Sequence, residues 1–204
     1  MAEDRAQALL EKVYNARDAG HYAYGLELSR DLSRTDPDYC FGSFYQGLFL
    51  LYLNRYREAE NLFRIAISQS DSERFHNFCY TQLGHLYTES KSFDLAEECY
   101  LQAIRLAPND ADGYISLGIM FLRIGDRDRA ESTYWQATTC PDGVLSEAYL
   151  NLGLLLRGSD RLEEALECAS QSIKLQPDYA EAAVLKEDLE MAIMLRAEVS
   201  ESRH

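Results

Sequence analysis

The chain has 204 residues, of which 47% are hydrophobic, so it holds enough apolar material to bury a sizeable core. Only 4 prolines and 11 glycines occur, which excludes a disordered or collagen-like chain. The formal net charge of −14 disfavours a nucleic-acid partner, because such a partner needs a basic face. The charge fits an apolar or basic protein partner, and it also fits a solvated acidic surface without a binding role.

The N-terminal residues 1–5 read MAEDR and lack the cationic start and apolar run of a secretory signal. No run of about 18 apolar residues occurs, so we expect neither a transmembrane helix nor a membrane partner. The five cysteines are an odd number without paired CxxC spacing, which favours reduced thiols. Together these features predict a cytoplasmic protein.

One spacing organises the chain from residue 47 onward. A glycine is followed twelve residues later by an alanine, four residues further by an aromatic, and three further by a second alanine. The sets are Gly47, Ala59, Phe63 and Ala66; Gly84, Ala96, Tyr100 and Ala103; Gly118, Ala130, Tyr134 and Ala137; and a weaker copy, Gly153, Ala165, Ala169 and Ser172. A fixed period indicates one structural unit used several times.

This spacing divides the chain into five predicted units, at 6–39, 40–73, 77–110, 111–144 and 146–179. The first is degenerate, since Val13 stands where glycine is expected and Ser29 replaces the aromatic, although Tyr22 keeps the register. Each unit is predicted to form two helices. In the third, a polar turn at 89–92 separates two stretches of apolar residues at helical spacing, and Pro108 stops the second helix because proline cannot continue one.

The residue types in the third unit predict how its helices pack. Gly84 and Ala96 have almost no side chain, so the two backbones can approach closely, while Tyr100 fills the space beside that contact. Ala103 is small enough for the next unit to lie on it. Because no single helix pair can bury all of its apolar surface, we expect the pairs to stack.

A longer apolar helix is predicted at 178–198, after the fifth unit. Apolar residues recur there at helical spacing, from Tyr179 to Leu195. The favoured interpretation is a capping helix whose apolar face covers the open end of the last unit. The alternative is a helix that docks into a partner or into a second copy of the chain.

The third unit begins with Tyr80-x2-Leu83-Gly84, and alanine, an aromatic, alanine and proline follow at the spacing above. This pattern resembles the tetratricopeptide repeat, a helix–turn–helix unit of about 34 residues. The fourth unit, from Tyr114, and the fifth, from Tyr149, carry the same pattern. The resemblance implies an all-α, right-handed α-solenoid that forms a single domain over 1–204, with about five helix pairs and the capping helix. It also implies a concave groove, lined by the first helix of each pair, that holds a peptide or helical segment of a partner.

The candidate groove residues are those on the first helices that point away from their second helices. They are Phe41, Phe44, Tyr45 and Leu48 in the second unit, Phe78, Gln82 and His85 in the third, Ile115, Ile119 and Leu122 in the fourth, and Asn151 and Leu154 in the fifth. Ser43 stands where an inward aromatic is expected, so Phe44 or Tyr45 could instead turn into the core. The chain's own N-terminal segment could also fill the groove.

Signals of catalysis are scarce. The sequence contains no GxSxG, HExxH, Walker or GxGxxG motif, so we predict a protein that is not an enzyme and has no catalytic residue and no cofactor. His76 and Cys79 lie three residues apart on a predicted helix, but two ligands make an incomplete metal set, so we predict no metal site.

The predicted function is a protein–protein interaction scaffold or adaptor, and several partner classes remain open. Repeats that bind acidic chaperone tails resemble one another in a set of Lys, Asn and Arg residues. The matching positions here hold Phe44, Leu48, Gln82, Asp112 and Ser116, which disfavours that class. The size, charge and apolar groove resemble in a general way the cytosolic chaperones of type III secretion, which hold hydrophobic segments. Self-assembly into a homodimer or larger oligomer is the other alternative.

Overall fold

A computed structural model of the protein describes the backbone of residues 2–201 and the side chains of residues 5–199. The described residues form eleven α-helices and no β-strand, which confirms the all-α fold class. The helices are α1 Ala2–Asp18, α2 Tyr22–Thr35, α3 Cys40–Tyr52, α4 Tyr56–Ser68, α5 Glu73–Glu89, α6 Phe93–Leu106, α7 Ala111–Ile124, α8 Arg127–Thr138, α9 Leu145–Arg157, α10 Leu162–Leu175 and α11 Ala180–Glu201.

The first ten helices form five successive pairs, each joined by a tight turn of the same kind. Every turn holds one residue with a positive φ, between 59° and 85°. These residues are Gly20, Asn54, Lys91, Gly125 and Asp160. Because a left-handed residue ends a helix and reverses the chain, the same turn in every pair gives the same helical hairpin. The three residues before the third predicted unit lengthen its first helix, which begins at Glu73.

In three of the four repeated spacings the glycine lies against the aromatic ring of the same hairpin. A Cβ atom added to Gly84 would lie 2.5 Å from the Tyr100 ring, and one added to Gly118 would lie 2.5 Å from the Tyr134 ring. Both tyrosines are at most 1% exposed, so their rings fill the gap that the glycines leave. Gly153 has no aromatic opposite it, and its nearest neighbours would be 3.2 Å or more from an added Cβ.

The helices divide into two compact units, with the boundary between Ala107 and Pro108. Unit 1 contains α1 to α6, and each of its helices packs against the next in the chain. Unit 2 contains α7 to α11, and its last helix packs on α10 and α9 through Ala182, Leu185 and Leu189, all at most 2% exposed. The assignment of the whole chain to one domain stays a prediction.

Candidate functional site

Two neighbouring cavities run along the first helices of unit 1. The larger, of about 500 Å³, is lined by Arg17, Phe41, Phe44, Tyr45, Leu48, Tyr52, Phe75, Phe78 and Gln82. The second, of about 430 Å³, is lined by Leu51, Tyr52, Asn54, Gln82, His85 and Glu89. Tyr52 and Gln82 line both, so the two cavities adjoin, and we call them together the unit 1 groove.

The floor of the larger cavity is a cluster of aromatic rings that belongs to the core. Phe44 is 9% exposed and packs against Phe63 and Phe75, with ring centroids 5.9 and 5.6 Å apart. Tyr45 is 5% exposed, and its ring meets that of Tyr14 at 5.4 Å. These two side chains therefore turn inward, and only part of each faces the cavity. Leu48, at 5% exposed, completes this floor.

The wall of the larger cavity is more accessible than the floor. Phe78 is 46% exposed and Tyr52 is 45% exposed. Phe41 is half-buried against Phe75, with ring centroids 5.2 Å apart. Tyr52 stacks on Tyr22 at 4.5 Å, which fixes the orientation of its ring. The cavity thus offers exposed aromatic surface over a packed aromatic floor.

The second cavity has a polar lining. His85 Nδ1 lies 3.0 Å from the hydroxyl of the buried Tyr100, so this hydrogen bond holds the imidazole ring in place. Asn54 and Glu89 are exposed, and Gln82 is half-buried between the two cavities. The unit 1 groove therefore changes from apolar to polar along α5, and its polar end carries the carboxylate of Glu89.

Unit 2 contains the remaining predicted groove residues, and the structure places them in different environments. Ile115 is 4% exposed and belongs to a core cluster with Ala111, Ala137, Cys140 and Ala148. It packs into the core because its side chain points between α7 and the following helices.

The other four residues of this set lie nearer to the surface. Ile119, Leu122 and Leu154 are exposed, at 40%, 36% and 41%. Asn151 is half-buried, and its Nδ2 atom has no hydrogen-bond partner among the described residues. The cavity of about 170 Å³ in unit 2 is lined by none of these side chains.

His76 and Cys79, the incomplete metal set of the sequence, both have structural roles. His76 Nε2 lies 2.7 Å from the carbonyl oxygen of Ser70 and 3.0 Å from that of Ile67, so it holds the end of α4 to α5. Cys79 is fully buried, and burial raises the pKa of its thiol to about 12. In the part of the chain that the structure describes, no three His, Cys, Asp or Glu side chains lie together as a metal-binding group.

All five cysteines are free thiols, and burial raises the pKa of each. For Cys99 and Cys168 the pKa rises to about 11. At neutral pH these groups are therefore protonated, which is the unreactive form of a thiol.

Family models of the tetratricopeptide repeat match residues 78–110 and 146–179. The two matched segments each contain one complete helical hairpin, α5 with α6 and α9 with α10. The chain belongs to the tetratricopeptide repeat family. The α5–α6 and α9–α10 hairpins are thus tetratricopeptide repeats, and the family supports a general role in protein–protein interaction.

Curated relatives share only part of their length with this tetratricopeptide repeat protein. Human protein O-mannosyl-transferase TMTC3 is 25% identical over 124 residues, which cover 54% of the chain and 14% of that protein. Small glutamine-rich tetratricopeptide repeat-containing protein 2 of Mycosarcoma maydis is 31% identical over 94 residues, which cover 46% of the chain and 26% of that protein. The chain therefore spans about a quarter or less of the relatives it matches.

Solved tetratricopeptide repeat structures share the fold. TTC0263 of Thermus thermophilus matches with a TM-score of 0.67 and 19% identity, over 91% of this chain and 99% of that one. YrrB, described as a tetratricopeptide repeat protein with an unusual peptide-binding site, matches with a TM-score of 0.55 and 20% identity, over 88% and 90%. None of the helices within the described residues is long and apolar enough to span a membrane.

Proposed function

We propose that this chain is a non-catalytic interaction scaffold that binds an apolar segment of a partner protein in the unit 1 groove. The observation that carries the proposal is the cavity of about 500 Å³ with Phe78 and Tyr52 exposed in its wall. Side chains of this kind are large, rigid and apolar, and they dominate the energetics of protein interfaces. The peptide-binding site named for YrrB, which shares the fold, supports the same kind of ligand.

The polar end of the groove suggests which kind of residue lies beside the apolar anchor in the partner. Glu89 brings a carboxylate to the second cavity, and the whole chain has a formal net charge of −14. Opposite charges attract and steer a partner, whereas like charges repel it. We therefore propose a segment with an apolar side chain for the larger cavity and a basic or neutral polar residue for the second.

A chaperone for hydrophobic segments remains an alternative function of the same groove. It differs in its occupant, which would be an unfolded apolar stretch of a client protein. We place either function in the cytoplasm, a proposal that the five free thiols support because such thiols are typical of a reducing compartment.

Replacing Phe78 with alanine tests the groove. Burying a whole aromatic side chain is worth roughly 1.5–3 kcal/mol, and about half of this side chain is still exposed in the free protein. We expect the F78A variant to bind peptides selected against the wild-type protein from a random display library about tenfold more weakly. Isothermal titration of the selected peptides with both proteins gives the measurement.

Tyr24 supplies the matched control for this experiment. It is 59% exposed and lies in the same unit, on α2, but it lines neither cavity. We expect the Y24A variant to bind the selected peptides as the wild-type protein does. Equal losses in both variants, or a selection that yields no binding peptide, would contradict the proposed groove.

A second copy of the chain is the other candidate partner. Helix α11 leaves Val184, Met191, Met194 and Leu195 between 51% and 65% exposed. Exposed apolar side chains that cluster on one helix favour association. If α11 mediates self-assembly, sedimentation equilibrium will show a dimer that the Met194→Glu substitution converts to a monomer. A wild-type protein that is monomeric at high micromolar concentration removes this candidate.

A further inference from the structure

A third cavity lies in unit 2, on residues that the unit 1 groove does not share. It has a volume of about 170 Å³ and is lined by Trp135 of α8, Tyr149 of α9, and Glu164, Glu167, Cys168 and Gln171 of α10. Ligand pockets for whole small molecules are usually about 300–1,000 Å³. This cavity is smaller, so its size fits a single side chain of another molecule.

The walls of this cavity are held in place by contacts among its three helices. Arg161 donates hydrogen bonds to both carboxylate oxygens of Glu164 and also to Glu131, at 2.5–2.7 Å, so α10 is tied to α8. Arg127 Nη2 donates to the carbonyl oxygen of Leu155, which ties α8 to α9. A preformed wall costs a ligand little ordering free energy.

Aromatic surface and negative charge meet in this cavity. Trp135 is the one tryptophan of the chain and is 42% exposed, and Tyr149 is half-buried opposite. Glu164 is neutralised by Arg161, but Glu167 forms no ion pair with any described residue. Burial first, and the neighbouring carboxylates of Glu167 and Glu164 second, raise the pKa of Cys168 to about 11, against the smaller opposing effect of Arg161.

We propose that this cavity, which we call the Trp135 pocket, binds one cationic side chain, a lysine or an arginine, of a protein partner. The electron-rich faces of Trp135 and Tyr149 attract a cation, and tryptophan is the strongest such partner. Glu167 supplies the opposite charge. An apolar side chain would gain nothing from the carboxylate of Glu167, whereas an anion would be repelled by it.

The pocket contains its own reporter, because every change in tryptophan fluorescence comes from Trp135. The probes are N-acetyl-lysine amide and N-acetyl-arginine amide, compared with N-acetyl-norleucine amide, which has a similar length and no charge. We expect a saturable change in emission with a cationic probe, with a dissociation constant on the order of 10 mM, and roughly fivefold weaker binding of the neutral probe. Sodium chloride keeps the ionic strength equal in all titrations.

Substitution of Glu167 by glutamine tests how the charge of the pocket, with its shape nearly unchanged, affects the affinity for the cationic probe. We expect E167Q to bind the lysine probe roughly threefold more weakly, since the carboxylate is partly accessible and screened by water. Glu163→Gln is the matched control: it removes the same charge from an exposed position of α10 that does not line the pocket. Far-UV circular dichroism verifies that both variants retain their helices.

Three outcomes would overturn the proposal. The first is equal binding of the neutral and cationic probes, which would show an apolar pocket without charge selectivity. The second is no change of emission with either cationic probe up to about 100 mM, ten times the expected dissociation constant. The third is an equal loss of affinity in E167Q and E163Q, which would show a general effect of net charge.

Discussion

Replacing Gly84 with alanine is expected to lower the free energy of unfolding by about 1–2 kcal/mol. The added Cβ would lie 2.5 Å from the ring of Tyr100, which is 1% exposed and has no room to move. Overpacking of this kind typically costs about 1–3 kcal/mol, and the better helix propensity of alanine offsets up to about 1 kcal/mol of it. Urea denaturation followed by far-UV circular dichroism measures the change.

Gly153 provides the internal control, because it occupies the same place in a hairpin that lacks the aromatic ring. An added Cβ there would approach a flexible atom of Leu185 at 3.2 Å, and its next contacts would be 3.3 Å away. We expect G153A to change the free energy of unfolding by between 0 and about +1 kcal/mol, because the gain in helix propensity prevails. A loss at Gly153 as large as that at Gly84 would show that the ring is not the cause.

The same substitution of tyrosine by phenylalanine is expected to have opposite effects in two repeats. The Tyr100 hydroxyl lies 3.0 Å from His85 Nδ1 and 3.3 Å from Thr88 Oγ1, so Y100F should lower the free energy of unfolding by about 1 kcal/mol. The hydroxyl of Tyr134 is buried and has no hydrogen-bond partner among the described residues, so Y134F should raise that free energy by about 1 kcal/mol.

Both variants keep the aromatic ring, so neither one opens a cavity. Differential scanning calorimetry and urea denaturation of the two proteins give the comparison. Effects of the same sign at both positions would mean that the Tyr134 hydroxyl has found a partner, such as an ordered water. They would also remove the distinction that we draw between these two repeats.

The repeat residues made much of the fold predictable from the sequence. Glycine and a ring recur at fixed spacing in three of the hairpins, because the ring fills the space that a residue without a side chain leaves. Gly84 with Tyr100 and Gly118 with Tyr134 pair in this way in the structure. The all-α class therefore followed from the sequence.

The groove was harder to predict, because exposure depends on how neighbouring helices pack. Phe44 and Tyr45 turn into the core, an alternative that the small Ser43 had suggested. Ile115 lies in the core of unit 2, while Phe78 lies exposed in a cavity wall. Helical spacing assigns a residue to a face, but the neighbouring helix decides whether that face is covered.

Some residues that line the unit 1 groove and the Trp135 pocket were not predicted from the sequence. Arg17 comes from the degenerate first unit, and Phe75 precedes the start of the predicted third unit, so the repeat pattern drew attention to neither. The Trp135 pocket is formed by side chains from three helices, so no local sequence pattern predicts it. A single tryptophan outside the repeated positions was the one signal that the sequence offered.

The most direct test of the proposed function is an amide chemical-shift map of the protein titrated with a peptide selected against it. The proposal predicts that the largest shifts fall on α3 and α5, around Tyr52, Phe78 and Gln82, which line the unit 1 groove. Saturating shifts centred there, with a midpoint at about tenfold higher peptide concentration in the F78A variant, would support it. Shifts centred on α4, α6 or unit 2, with α3 and α5 unchanged, would contradict it.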